Sequence, residues 1–134
     1  MSAEVAVRGA VVEALRGDAL LMAGLNGLFD GAAGRASAPY GVVGESLAAD
    51  WGAKEVEGRE LTLTVSLFDV GEKPARLAAL LTRVDAVLSA LEGGEGWRVV
   101  SARLLRSRLS RTGARDRWQA LADYRLRVVR EPSA

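Results

Sequence analysis

Between Arg59 and Val70 apolar and polar residues alternate: Leu61, Leu63, Val65 and Leu67 point one way, Thr62, Thr64 and Ser66 the other. A period of two over that length predicts a strand with one buried face. Spacings of three and four govern two other stretches. Val7, Ala10, Val11, Ala14 and Leu15 predict a helix from Glu4 to about Arg16, stopped by Gly17, after which Asp18 is placed to cap a shorter helical piece over Ala19 to Leu25. Leu77, Leu80, Leu81, Val84, Val87, Leu88 and Leu91 predict the longest helix. It is opened by Glu72-Lys73-Pro74, where the missing proline N–H costs nothing, and ended by Glu92-Gly93-Gly94.

The remaining segments are predicted as strands and loops. Leu28 and Phe29, between turn residues, predict a short edge strand, and a Gly/Ala/Ser loop then runs to Pro39. Tyr40 to Ala49 predicts a strand with Gly41 and Gly44 as weak points or a bulge. Asp50 to Gly58 is polar around a lone Trp51. Trp97 to Leu109 predicts a long strand, Ser110 to Ala114 a turn, and Arg115 to Arg130 a second long strand. In that last strand Trp118, Ala120, Ala122, Tyr124, Leu126 and Val128 share one face, and Arg117, Gln119, Arg125 and Arg127 the other. On the strand before it Val100, Ala102 and Leu104 share a face that continues into Arg106 and Arg108. Buried unpaired guanidinium groups are costly, so the hairpin is expected to project beyond the core near its tip. The expected fold is α+β: one domain, residues 1–134, with an antiparallel sheet of three to five strands, two main helices on one face and a long C-terminal hairpin. A right-handed parallel crossover from strand 59–70 through the helix to strand 97–109 stays open.

Composition narrows the chemistry. The 134 residues contain no Cys and no His, which removes thiolate and imidazole nucleophiles, the histidine general base and Cys/His zinc sites. Carboxylates, hydroxyls and two lysines, Lys54 and Lys73, remain. Glu55, Glu57 and Glu60 lie in a polar stretch with Lys54 and Arg59, a solvated loop rather than an acid/base pair or an octahedral metal shell. The glycines around Gly24, Gly27 and Gly31 lack the order and the lysine of a phosphate loop. No enzymatic activity, cofactor or metal is expected. The N-terminal stretch lacks the basic start and unbroken apolar run of a secretion signal, and no run is long enough to span a membrane, so a soluble cytoplasmic protein without membrane contact is expected.

The charge is unevenly placed. Residues 1–97 hold 8 basic and 14 acidic side chains, residues 98–134 hold 10 basic and 3 acidic, and 16 of the 18 basic residues are Arg. Arginine's planar fork suits carboxylates and phosphates, so the dense set Arg103, Arg106, Arg108, Arg111, Arg115 and Arg117 is a candidate interface. Among the tryptophans, Trp118 is in phase with an apolar face and expected in the core. Trp51 has no periodic company and is open to core or subunit contact; it joins the candidate interface. Nothing aromatic is interleaved with the arginines as in single-strand nucleic-acid binders. A subunit acidic on one part and basic on another is suited to head-to-tail packing around a ring.

Leu15-Arg16-Gly17-Asp18-Ala19-Leu20, Leu28-Phe29-Asp30-Gly31, Pro39-Tyr40-Gly41-Val42-Val43-Gly44-Glu45, Ala49-Asp50-Trp51, Gly58-Arg59-Glu60-Leu61 and Arg111-Thr112-Gly113 follow one another in this order. Together they resemble the small tail-completion or tail-terminator proteins of tailed phages and phage-like gene transfer agents, over about residues 10–129. The resemblance implies a structural protein with helices packed on an antiparallel sheet. It also implies a homo-oligomer, a hexameric ring that caps the tail tube, ends its polymerisation and presents the face to which the head connector or stopper docks. DNA would pass through that ring without sequence-specific binding. The implied location is the bacterial cytoplasm during assembly, then the head-proximal end of the particle's tail. Gly41, where the family more often carries an apolar strand former, is expected to bend the first long strand. Another ring-forming connector or stopper subunit, or a nucleic-acid module using the basic hairpin, are the alternative readings.

Overall fold

The computed structural model describes residues 1–113 and 116–132. Its elements are α1 (Ala3–Arg16), α2 (Ala19–Ala23), β1 (Leu28–Asp30), β2 (Tyr40–Asp50), β3 (Gly58–Val70), α3 (Ala75–Ser89), β4 (Gly93–Gly94), β5 (Trp97–Arg111) and β6 (Arg117–Arg130). They form the expected α+β fold, but the sheet has six strands rather than three to five, in the order β1-β2-β3-β6-β5-β4. The two outermost members are very short; β1 is the expected edge strand at Leu28 and Phe29, and β4 is the additional one. β1 runs parallel to β2 over three residue pairs, and β4 covers only Trp97 and Arg98 of β5. Two residues carry no periodicity, so β4 reads in sequence as a glycine turn. Gly93 has φ +128°, and a Cβ there would collide with the Trp97 backbone, so the close strand approach depends on glycine.

β3 and β5 run parallel, yet they are not neighbours. β6 lies between them, antiparallel to both, so the helix α3 makes a crossover that leaves room for the last strand. Thirteen consecutive pairs join β3 to β6 from Gly58↔Val129 to Val70↔Arg117.

All the buried side chains of the sheet lie on one face, against α1 and α3. Leu61, Leu63, Val65 and Leu67 of β3 meet Leu77, Leu80, Val84 and Leu88 of α3 in one core with Val7, Val11 and Leu15 of α1. Tyr124, the largest fully buried side chain, reaches through this core to donate its hydroxyl to Asp85 Oδ1 at 3.1 Å. Burial, with the Asp85 carboxylate nearby, pushes the Tyr124 phenol far above its ordinary value. Ser2 caps α1 by accepting from the Val5 N–H, and Asp18 caps α2 by accepting from the Leu21 N–H. Asp18 also holds Arg83 of α3 through two bonds of 2.6 and 3.0 Å, tying the helical layer together. Trp118, half-buried, packs against the core edge as expected.

The ladder of β2 runs through Gly41 without interruption. Gly41 pairs in register with Leu67, and a Cβ would come within 2.8 Å of Leu28 Cδ1 and 3.0 Å of Leu67 Cδ2, so the space is taken by leucine side chains. The irregularity begins three residues on, where Gly44 and Glu45 together face the single residue Thr64. Arg8 of α1 donates to the Val43 and Gly44 carbonyls there and to Asp30 at the end of β1.

Candidate assembly surface

Among the described residues, the face of the sheet turned away from the helices has no layer of its own over it. Cross-strand registers arrange its side chains as rungs across β3, β6 and β5: Glu60–Arg127–Ser101, Thr62–Arg125–Arg103, Thr64–Asp123–Arg106 and Ser66–Leu121–Arg108, with Val70–Arg117 beyond. Two rungs contain internal ion pairs. Arg127 Nε meets Glu60 Oε2 at 2.8 Å, and Arg106 Nε meets Asp123 Oδ2 at 2.7 Å. The Thr64 hydroxyl donates to the other Asp123 oxygen at 2.5 Å. The Arg106 hydrogen bond is the main reason, with Thr64 second, that the Asp123 carboxyl is held below the usual carboxylate range.

The middle rung is different. Arg103 and Arg125 stand directly opposite one another, and among the described residues neither has an acidic partner. Arg125 Nε is buried without a hydrogen-bond partner. Like charges directly opposite on a sheet are destabilising, and an unpartnered guanidinium nitrogen out of water is costly, so this rung is complementary to a carboxylate from outside the chain.

The predicted interface residues separate accordingly. Arg103, Arg106, Arg108 and Arg117 come together on the uncovered face, joined by Arg125 and Arg127, which alternation had placed beside Arg117. Arg111 is on the helix-side face, its guanidinium 4.7 Å from the Trp118 ring centroid. Trp51 follows β2 at the far end, 36% exposed, with the Arg127 guanidinium 5.3 Å from its ring centroid. Arg115, and with it the expected start of the last strand and part of the turn, lies outside the described residues.

The expected continuation of Val100, Ala102 and Leu104 into Arg106 and Arg108 does not hold. β5 carries an extra residue at Val100 and another at Leu105, each unopposed on β6. Every bulge turns the following side chains over, so Ala102 and Leu104 face the helices whereas Arg106 and Arg108 face away. Asp123, Thr64 and Glu45, which flank an open depression of about 570 Å³ beside Arg106, were missed by sequence reasoning. Their only signal was the register that the bulges hide. Among the described residues no cluster of three or more acidic side chains is placed to hold a metal, and Asp123 is committed to Arg106 and Thr64.

Stability should depend on acid in a defined way. Asp69 is buried at the end of β3 and bound by Arg76 through two bonds of 2.6 and 2.8 Å. The arginine hydrogen bond holds its carboxyl below the ordinary range, as Arg83 does for Asp18. A carboxyl whose folded pKa is depressed stabilises the fold above its unfolded value of about 3.9 and loses that contribution as pH falls through the folded pKa. Urea midpoints are therefore expected to stay level from neutrality to about pH 5 and to drop below about pH 4. Asp69→Asn should lower the midpoint at pH 7 and make the acid limb shallower; an unchanged limb would show that Asp69 contributes nothing to it.

The helix-backed sheet thus presents an open face lined with arginines. The model of the family Tail completion protein gp17 matches residues 9–129, and the chain belongs to that family. It is thus a non-enzymatic structural component of phage-type tails. A chain of the virion of a native gene transfer agent (GTA) particle shares the fold, with a TM-score of 0.84 and 24% sequence identity over 96% of this chain and 98% of that one. No curated protein sequence matches the chain.

Proposed function

We propose that copies of the chain form a hexameric ring that caps the tail tube, stops its growth and presents a docking face to the head connector or stopper, in a tailed phage or a gene transfer agent. Membership of the tail-completion family carries the reading. The unpaired rung Arg103–Arg125 supports it, because it calls for carboxylates that the rest of the same chain, with 14 acidic side chains in residues 1–97, has in excess. Arg108, Arg117 and Trp51 are assigned to the contacts with neighbouring subunits or the adjoining tube and connector. DNA passing through such a ring meets no sequence-reading element, and arginines held at protein interfaces do not grip its phosphates. Sedimentation velocity and negative-stain microscopy of the purified protein test this. Rings with a central hole are expected. A monomer or dimer that binds DNA with steep salt dependence would favour the nucleic-acid reading instead.

A further inference from the structure

The sheet ends in two open edges, and they are complementary. β4 covers only Trp97 and Arg98 of β5, and the Val99 N–H is taken by the Glu92 carbonyl at 2.8 Å. From Val100 to Arg111, β5 has no neighbour on its outer side among the described residues. On the opposite margin β1 covers only Gly41 to Val43 of β2, leaving Ser46 to Asp50 open. The direction of the free backbone groups follows from the ladders. Thr112 N–H donates to Arg117 O, so strict alternation turns the N–H groups of Ser107, Leu109 and Arg111 away from β6. Trp51 N–H donates to Gly58 O, so those of Ser46, Ala48 and Asp50 point away from β3.

We infer that the β5 edge of one copy pairs with the β2 edge of the next, so that the sheet runs on from subunit to subunit. The inference rests on the ring reading and supplies its contact. Three observations converge on the second copy as occupant. Charge is the first: the β5 edge carries Arg103, Arg106, Arg108 and Arg111, the β2 edge Glu45 and Asp50 with Glu55 and Glu57 just beyond. Pairing of β5 with β5 would set these arginines against themselves, and β2 with β2 the acids. Direction is the second. β2, β3, β6 and β5 alternate in direction, so a sheet continued in the same sense brings β2 to β5 antiparallel, with the uncovered faces on the same side. Apolar exposure is the third: Leu47 on β2 is 63% exposed, and Val100, Leu104, Leu105 and Leu109 on β5 are 40–46% exposed. An isolated edge guarded against pairing is usually short, or charged without exposed apolar residues, and this one is long and carries both.

Proline on the free side of an edge strand removes a donor to a neighbouring chain while sparing the ladder within its own. Leu109→Pro and Ala48→Pro should each give a chain with native circular dichroism that sediments as a monomer where the wild type forms rings. An equimolar mixture should give a one-to-one dimer and nothing larger, since each variant keeps one good edge. Independently, the chain has no cysteine, so Leu109→Cys and Ala48→Cys variants mixed into rings should be joined to each other by a short bismaleimide and not to themselves. Rings formed by both proline variants as by the wild type, or rings in which the two cysteines never join, would overturn the paired edges alone. The cysteine result decides should either proline variant fail to fold. A wild-type chain that stays monomeric at every concentration and on tail tubes would overturn the ring reading, and the paired edges with it.

Discussion

Leu63→Ala is expected to cost about 2–5 kcal/mol, the range for truncating a fully buried leucine in a core that collapses only partly. Leu63 is 1% exposed on β3, flanked by β2 and β6 and opposite Tyr124, so no surface loop can move in to fill the space. The loss combines the transfer free energy of the removed methyl groups with the cavity they leave. Urea unfolding read below the assembly concentration checks it, because binding between copies would otherwise add to apparent stability. The midpoint should fall with the slope unchanged. Leu105→Ala, on an exposed bulge, should change stability by less than about 0.5 kcal/mol. A similar small effect at Leu63 would mean that the face packed on α3 is not the one described.

Arg103→Glu combined with Arg108→Glu is expected to abolish ring formation, or to raise the concentration it needs by about 10–100-fold, while leaving the monomer as stable as before or slightly more so. The monomer is spared because Glu at position 103 would stand opposite Arg125 and replace a like-charge pair with an opposite one. Such exchanges are worth about 0.2–1 kcal/mol on a sheet. Under the proposed ring contact, assembly suffers because two groups assigned to acidic side chains of a neighbour become acidic themselves. Sedimentation velocity counts the subunits, and thermal melts report the fold. Rings that form at the same concentration and still terminate tails would leave these arginines as solvated charge.

Elements decided by their own residues were legible in the sequence. The alternation of Leu61, Leu63, Val65 and Leu67, the stripe from Leu77 to Leu88 and the cap at Asp18 each follow from local spacing, and each is in place. What depended on a partner strand was not legible. β4 exists only because Gly93 and Gly94 lie beside Trp97 and Arg98, and its two residues have no pattern to announce it. The bulges at Val100 and Leu105 show only against β6, so the face on which Arg106 and Arg108 lie was misassigned beyond them. The candidate surface was therefore partly legible: Arg117, Arg125 and Arg127 sat on one side of a regular strand, whereas Arg111 fell on the opposite face and Asp123 gave no sign of its bond to Arg106.

The last strand of the chain occupies the middle of the sheet. β3 and β5 are both made before β6, and neither has its inner neighbour until β6 is inserted between them. On the ribosome, where synthesis runs at about 5–20 residues per second, the nascent chain thus carries two half-sheets that cannot close into one core. The contacts that complete the fold join residues far apart in sequence, from Gly58↔Val129 onward, a topology that folds slowly. Synthesis of β6 thereby acts as a checkpoint: a chain cut before it lacks Arg125 and Arg127 as well as its central strand, and so has neither a finished core nor a finished face with which to enter an assembly.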